Sequence, residues 1–322
     1  MSEILLNNQV IVYLVSESIL FVLMLIALLP TIKIVIKWKF YSFSQEQFAL
    51  EKRAYLVATI VDFIFVVKFF LLIYFVFTID ALSILVPGAM CAAGVVSAND
   101  YGMPLLFFKL LILFVMLLWM TLHRYDLEAK EYPFMRYKSW LFIAIFVLVV
   151  VEMLLEIGYF THIDTRRVVS CCSALFGQLE GANPLPFGLD MLKMIIRFYL
   201  LYFVNIVALI ARYRALTMTS SILFLIISYY SVVYFFGTYV YELPTHKCPF
   251  CMMQKEYYFI GYLVWGSLFG GVSISLVWAI MGSLFGIDKS IYRNISVLFI
   301  SIFVLICTSY VVVYYFRNGV FL

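Results

Sequence analysis

The chain is built of long apolar runs that short polar segments interrupt, and this feature leaves few folds open to it. Eight such runs fall near residues 9–36, 55–79, 104–122, 139–161, 188–211, 217–241, 257–285 and 295–316. Each reaches roughly the 18 residues that a helix needs to cross a hydrocarbon layer of about 30 Å. Within such a layer every backbone N–H and C=O must be bonded inside its own segment, which makes the runs helices. With 66% hydrophobic and 12% charged residues, the chain cannot cover a water-facing surface, because soluble domains carry roughly 25% charge. The expected fold is therefore an all-α, polytopic membrane protein of about eight transmembrane helices. Its 322 residues form a single transmembrane domain, since no loop is long enough to hold another.

Lysine and arginine set the expected orientation. One set of loops carries Lys37, Lys39, Lys52, Arg53, Arg124, Lys130, Arg136, Lys138, Arg212, Arg214, Lys289 and Arg293. The other carries only Arg166, Arg167, Lys247, Lys255 and Arg317. The first set marks the cytoplasmic side, which puts both termini outside. No Lys or Arg precedes Lys33, so the first run lacks the basic start of a cleavable signal and is expected to stay in the mature chain. The net charge of +4 reflects this loop bias and gives no nucleic-acid surface.

The expected outer face gathers five of the six cysteines: Cys91 in loop 80–103, Cys171 and Cys172 in loop 162–187, and Cys248 and Cys251 in loop 242–256. Cys307 lies inside the last run. The outer face of a cytoplasmic membrane is where disulfides persist. Shifting the chain by 84 residues lays Ile79-Asp80 on Ile163-Asp164, Ala98-Asn99 on Ala182-Asn183 and Lys109 on Lys193. The match suggests a tandem helical hairpin, 55–138 and 139–216, with a third hairpin, 217–285, carrying Cys248 and Cys251.

Ionisable residues within membrane spans are costly, and each is a candidate site by default. Here they include Asp62, Lys68, Lys109, Glu152, Glu156, Lys193 and Arg197. If the fourth and fifth spans pack as an antiparallel hairpin, Glu152 meets Arg197 and Glu156 meets Lys193 at equal depths. In each span the two charges are four residues apart and share a helix face. Two stacked ion pairs are expected, and Lys68, near mid-membrane and laid on Glu152 by the 84-residue shift, is expected to join their cluster.

The stretch "KCPFCMMQKEYYFIGY" carries the most chemistry. Two cysteines three apart, at the expected start of the seventh helix, can close a small disulfide ring. A positive helix end, His246 and Lys247 would all favour the thiolate that attacks disulfides. Thiolates beside Met252 also suit a soft metal, Cu(I) above all, with Cys248, Cys251, Met252 and His246 as the candidate ligands.

Cys248-Pro249-Phe250-Cys251, followed by Gln254-Lys255, resembles the cysteine motif of the bacterial disulfide-bond formation (DsbB-type) family, with Lys in place of that family's Arg. About 20 residues carry the resemblance. It implies a thiol–disulfide oxidoreductase that passes electrons between outer-face cysteines and a membrane quinone, ubiquinone or menaquinone. On this reading Cys248 and Cys251 are redox-active, and Gln254, Lys255, Tyr257 and Tyr258 line the quinone. Cys91, Cys171 and Cys172 relay to a soluble or membrane-anchored thioredoxin-like partner. The implied setting is a bacterial-type inner membrane with the redox loops facing the periplasm. Direct copper binding or transfer, or service as a subunit of a larger membrane complex, is the alternative.

Overall fold

The computed structural model of the chain describes residues 3–39, 44–129, 132–166, 168–169 and 190–322. Among them, eight helices are long and apolar enough to cross a membrane. The protein is an all-helical, multi-pass membrane protein, as the apolar runs require. The chain divides into two compact units, Met1–Pro87 with Val95–Val169, and Gly88–Gly94 with Ser170–Leu322. This division cuts through the second copy of the expected hairpin repeat, 139–216.

The first unit consists of α1 (Asn8–Lys37), α2 (Gln45–Leu82), α4 (Gly102–Glu128) and α5 (Met135–Thr161). Between α2 and α4 lies a five-residue helix, α3 (Ala92–Val96). The starts of α1 and α2 are fixed by side-chain caps. Asn7 accepts from the Gln9 amide, and Ser44 from the Gln47 amide, each satisfying an N–H that the first turn leaves unbonded. Helix α1 packs on α2 and α5, and α4 packs on the same two helices. Each therefore turns one face to a common interior, where Tyr13, Glu17, Lys68, Lys109, Glu152 and Glu156 are buried.

The second unit holds α6 (Met191–Ile210), α7 (Arg214–Tyr241), α8 (Ile260–Phe285) and α9 (Ser290–Asn318). In sequence order each packs on the next, and α9 returns to α6. Small and hydroxyl residues let these helices approach and bond, as membrane interiors require. Asn205 donates to Ser220 and Ser221, and Ser221 bonds Ser275 at 2.7 Å. At Gly271 a Cβ would stand 2.7 Å from Ile300 and 3.1 Å from Phe299. The glycines at 270 and 271 thus serve close packing of α8 on α9, while Gly266 has open space beside it.

Two departures from ideal helix shape this unit's cysteine end. A π turn, Val232–Phe236, interrupts α7 just before Gly237. A Cβ on Gly237 would lie 2.7 Å from the Val232 carbonyl oxygen, so a glycine closes that wide turn. The second departure concerns the start of α8. The sequence pattern placed it at 257, directly after the cysteine motif. Instead Cys251–Met253 and Lys255–Tyr257 form separate 3-10 turns, Tyr258 and Phe259 follow in left-handed conformation, and the α-helix begins at Ile260. Two consecutive non-glycine residues at positive φ are strained.

Candidate functional site

The cysteine site lies within the second unit and is assembled from two distant segments. Segment 88–94 brings Cys91, and the connection between α7 and α8 brings Cys248 and Cys251. Their three sulfurs all lie within 4.8 Å of one another, with Cys91 Sγ and Cys248 Sγ 3.6 Å apart. All three residues are buried: Cys91 is 0%, Cys248 2% and Cys251 6% exposed.

Tyr241, the last residue of α7, organises the motif. Its hydroxyl donates to the Cys248 carbonyl and accepts from the Met252 amide at 3.0 Å. One phenol thereby spans both cysteines' backbone. Trp265 on α8 donates from Nε1 to the Pro249 carbonyl at 3.0 Å. From below, Gly261 leaves the room in which Met252 and Met253 sit: a Cβ there would fall 2.6 Å from Met252 Cγ and 2.9 Å from the Met252 carbonyl carbon. The Gln254 amide reaches the Met90 carbonyl at 3.4 Å, tying the motif to the segment that carries Cys91. Tyr241, Trp265 and Gly261 were not singled out in the sequence. Only the glycine and the aromatics just beyond the motif hinted at them.

The positive end of α8 does not reach the motif, contrary to the expectation from sequence. Cys248 precedes the first α-helical residue, Ile260, by two 3-10 turns and a strained pair. The α8 dipole, whose effect is confined to its first turn, therefore does not act on Cys248. Proximity of the third thiol takes its place as the feature that distinguishes the pair.

Around the sulfurs, Tyr257 packs its ring 4.8 Å from that of Tyr241. Burial, then the nearby Cys251 and Glu256, holds its hydroxyl above the usual tyrosine range. His246 stacks edge-on against Tyr241 at 4.3 Å, and its buried Nε2 has no hydrogen-bond partner among the described residues. Burial keeps its imidazole below the ordinary histidine range. Lys247 lies over the Tyr234 ring at 5.2 Å. Lys255 and Tyr258 are exposed, Tyr258 at 91%. Of the residues expected to line a quinone, Gln254 and Tyr257 thus lie against the motif, while Lys255 and Tyr258 point outward. Cys171 and Cys172 lie outside the described residues.

The metal-ligand set changes as well. Among the described residues the structure groups Cys91, Cys248 and Cys251, and His246 is not part of that group. Cys91 stands where the sequence suggested the histidine. Met252 is buried beside the cysteines in the same apolar cluster.

No family model, no curated protein and no solved structure matches this chain.

The intramembrane charges form a second constellation, and their expected pairing is overturned. Glu152 bonds Lys68 at 2.6 Å and Lys109 at 2.8 Å, and Glu156 bonds Lys109, all within the first unit. Lys193 pairs with Asp190 at the exposed start of α6, and Arg197 is exposed. The reason is packing: α5 meets α1 and α4, which carry their own ionisable residues. Lys68 does contact Glu152, the residue on which the 84-residue shift lays it. Glu17 on α1, bonded to Lys68 at 2.8 Å, and Tyr13 one turn before it were missed. A lone carboxylate inside the first apolar run was the available signal.

Proposed function

We propose that the protein is a membrane thiol–disulfide oxidoreductase in which Cys248 exchanges one disulfide between Cys91 and Cys251 and a membrane quinone takes up the electrons. The observation that carries this reading is the meeting of three buried sulfurs within 4.8 Å. A two-cysteine staple needs no third thiol, whereas exchange needs one: an attacking thiolate, a central sulfur and a leaving sulfur. Cys248 is the central sulfur, since it touches Cys91 and lies three residues from Cys251. When two of the thiols join, two electrons and two protons leave and one S–S bond forms. A quinone accepts both pairs and becomes quinol. A partner's dithiol then re-reduces the site and is itself oxidised to a disulfide. Burial of the triad suits an apolar oxidant dissolved in the membrane, with Tyr257 and Gln254 at its edge. Exchange with a bulky thioredoxin-like partner would pass through Cys171 and Cys172. The excess of Lys and Arg in the opposite loops supports placing this site on the outer face of a bacterial-type inner membrane.

One geometric fact favours a second reading. Three thiolates this close can also ligate Cu(I), a soft ion that prefers sulfur, with Met252 at hand. A single set of measurements separates the two. The reduced, metal-free protein is mixed with a short-chain quinone in detergent, and its thiols are counted by alkylation and mass spectrometry. The oxidoreductase reading expects loss of two thiols per quinol formed, with Cys248 in every bridged peptide, and no reaction in Cys248→Ser. Retention of all thiols under quinone, together with stoichiometric Cu(I) binding that Cys91→Ser weakens, would replace it with the metal reading.

A further inference from the structure

Among the described residues, the charges buried where the four long helices of the first unit meet are unbalanced, and the imbalance has a chemical solution. Three carboxylates, Glu17, Glu152 and Glu156, meet two ammonium groups, Lys68 and Lys109. Their side chains are between 3% and 8% exposed. They come from all four long helices of the unit: Tyr13 and Glu17 from α1, Lys68 from α2, Lys109 from α4, Glu152 and Glu156 from α5. Fully ionised, the cluster would carry one uncompensated negative charge in a medium that tolerates none.

Hydrogen bonding arrives at the same count independently. Lys109 spends its three hydrogens on Glu152 Oε1 at 2.8 Å, Glu156 Oε1 and the Tyr13 hydroxyl oxygen. Lys68 donates to Glu17 Oε2 at 2.8 Å and Glu152 Oε2 at 2.6 Å. Both Glu152 oxygens are thus bonded to cations. What is left is the Tyr13 hydroxyl, which lies in hydrogen-bond contact with two carboxylates, Glu17 Oε1 at 3.2 Å and Glu156 Oε1. A phenol has one hydrogen and can serve one of them. The other contact sets two acceptor oxygens against each other unless a carboxyl supplies a second hydrogen.

We infer that the first unit contains a proton-binding site: one exchangeable proton shared between Glu17 and Glu156 through the Tyr13 hydroxyl. Binding converts one carboxylate to a carboxylic acid, which brings the cluster to neutrality and supplies the missing hydrogen. The three carboxylates have oxygens close enough to hold a metal cation, but the two ammonium groups already occupy that place. A proton is the cation that fits. Such a site inside a bilayer is the element a protein needs to couple a transmembrane process to proton movement. The inference uses no cysteine and stands apart from the redox reading.

Infrared spectroscopy of the full chain in lipid, at neutral pH, tests it. The unmodified protein should show the carbonyl stretch of a buried carboxylic acid, shifted by 13C-glutamate labelling and by transfer to D2O. Glu17→Gln and Glu156→Gln should each abolish the band, because either change leaves two carboxylates facing two ammonium groups with no proton needed. Tyr13→Phe, which keeps the charge count, should retain the band at a shifted position. Absence of the band in the unmodified protein overturns the inference. So does a band insensitive to 13C-glutamate or to D2O, or one that survives in either Gln variant. The isotope arms need no substitution, so they decide the matter even where a variant fails to fold.

Discussion

Replacing Lys68 by Met probes the polar interior of the first unit most directly. The side chain is 4% exposed and bridges Glu17 at 2.8 Å and Glu152 at 2.6 Å. Met keeps most of its volume and discards its charge. Glu152 retains Lys109 as a partner at 2.8 Å, whereas Glu17 keeps only a 3.7 Å approach to that lysine. The substitution therefore strands one carboxylate chiefly, and breaking a buried pair from one side costs about 3–5 kcal/mol. Unfolding of the detergent-solubilised protein in increasing denaturing surfactant, followed by tryptophan fluorescence, would measure the loss. Adding Glu17→Gln to Lys68→Met removes the stranded charge and should recover about half of it. Glu156→Gln in the same background should recover less, since Glu156 makes no ion pair with Lys68. If Lys68→Met and Glu17→Gln add to within about 0.5 kcal/mol, the two residues do not interact and the buried network does not hold them together.

Other outcomes follow from the cysteine end. Gly261→Ala would press on the Met252 backbone 2.9 Å from the new Cβ, and overpacking of this kind costs about 1–3 kcal/mol. Slower quinone-linked thiol loss should accompany a lower unfolding midpoint, and an unchanged rate would detach the motif's geometry from its reactivity. Cys307→Ser should leave that rate unaltered, because Cys307 stands outside the sulfur triad, and a fall in rate would enlarge the site. Half-buried His246, whose folded form binds a proton less readily than the free value of 6.5, makes folding stability decline as pH drops below that value. His246→Gln should flatten this part of the stability–pH curve, and an unaltered slope would place the titration elsewhere. For orientation, a cysteine at exposed position 258 should react with an impermeant maleimide in intact cells, and one at Lys289 only after the membrane is opened. The reverse pattern would invert the topology.

Most of the architecture could be read from the chain itself because a bilayer leaves helices so little choice. Apolar runs long enough to cross became α1, α2 and α4 through α9 with ends shifted by only a few residues, except where α2 starts ten residues before its run. Partner choice was harder. Glu152 and Glu156 were matched to the next helix in sequence, but a helix packs on whichever neighbours the whole bundle supplies. For α5 those are α1 and α4, and nothing local to Glu17 announces that it will meet Lys68. The motif's chemistry was visible in Cys248 and Cys251, yet their setting was not. Tyr258 and Phe259 carry no glycine-like or asparagine-like signal for left-handed backbone, so the delayed start of α8 was illegible. Convergence of Cys91 on Cys248 is a long-range event that spacing along a chain does not encode.

That separation has its own consequence. A bridge between Cys91 and Cys248 would tie together points 157 residues apart, whereas one between Cys248 and Cys251 closes only a tiny ring. Tethering distant points removes more freedom from the unfolded chain, by about 3 kcal/mol between these two ring sizes on the chain-entropy account. Moving one disulfide by a single sulfur would thus change how far the denatured protein can expand, without changing its oxidation level. The long-range isomer should run as a more compact species on a non-reducing denaturing gel, and the short-range isomer should migrate with the fully reduced chain.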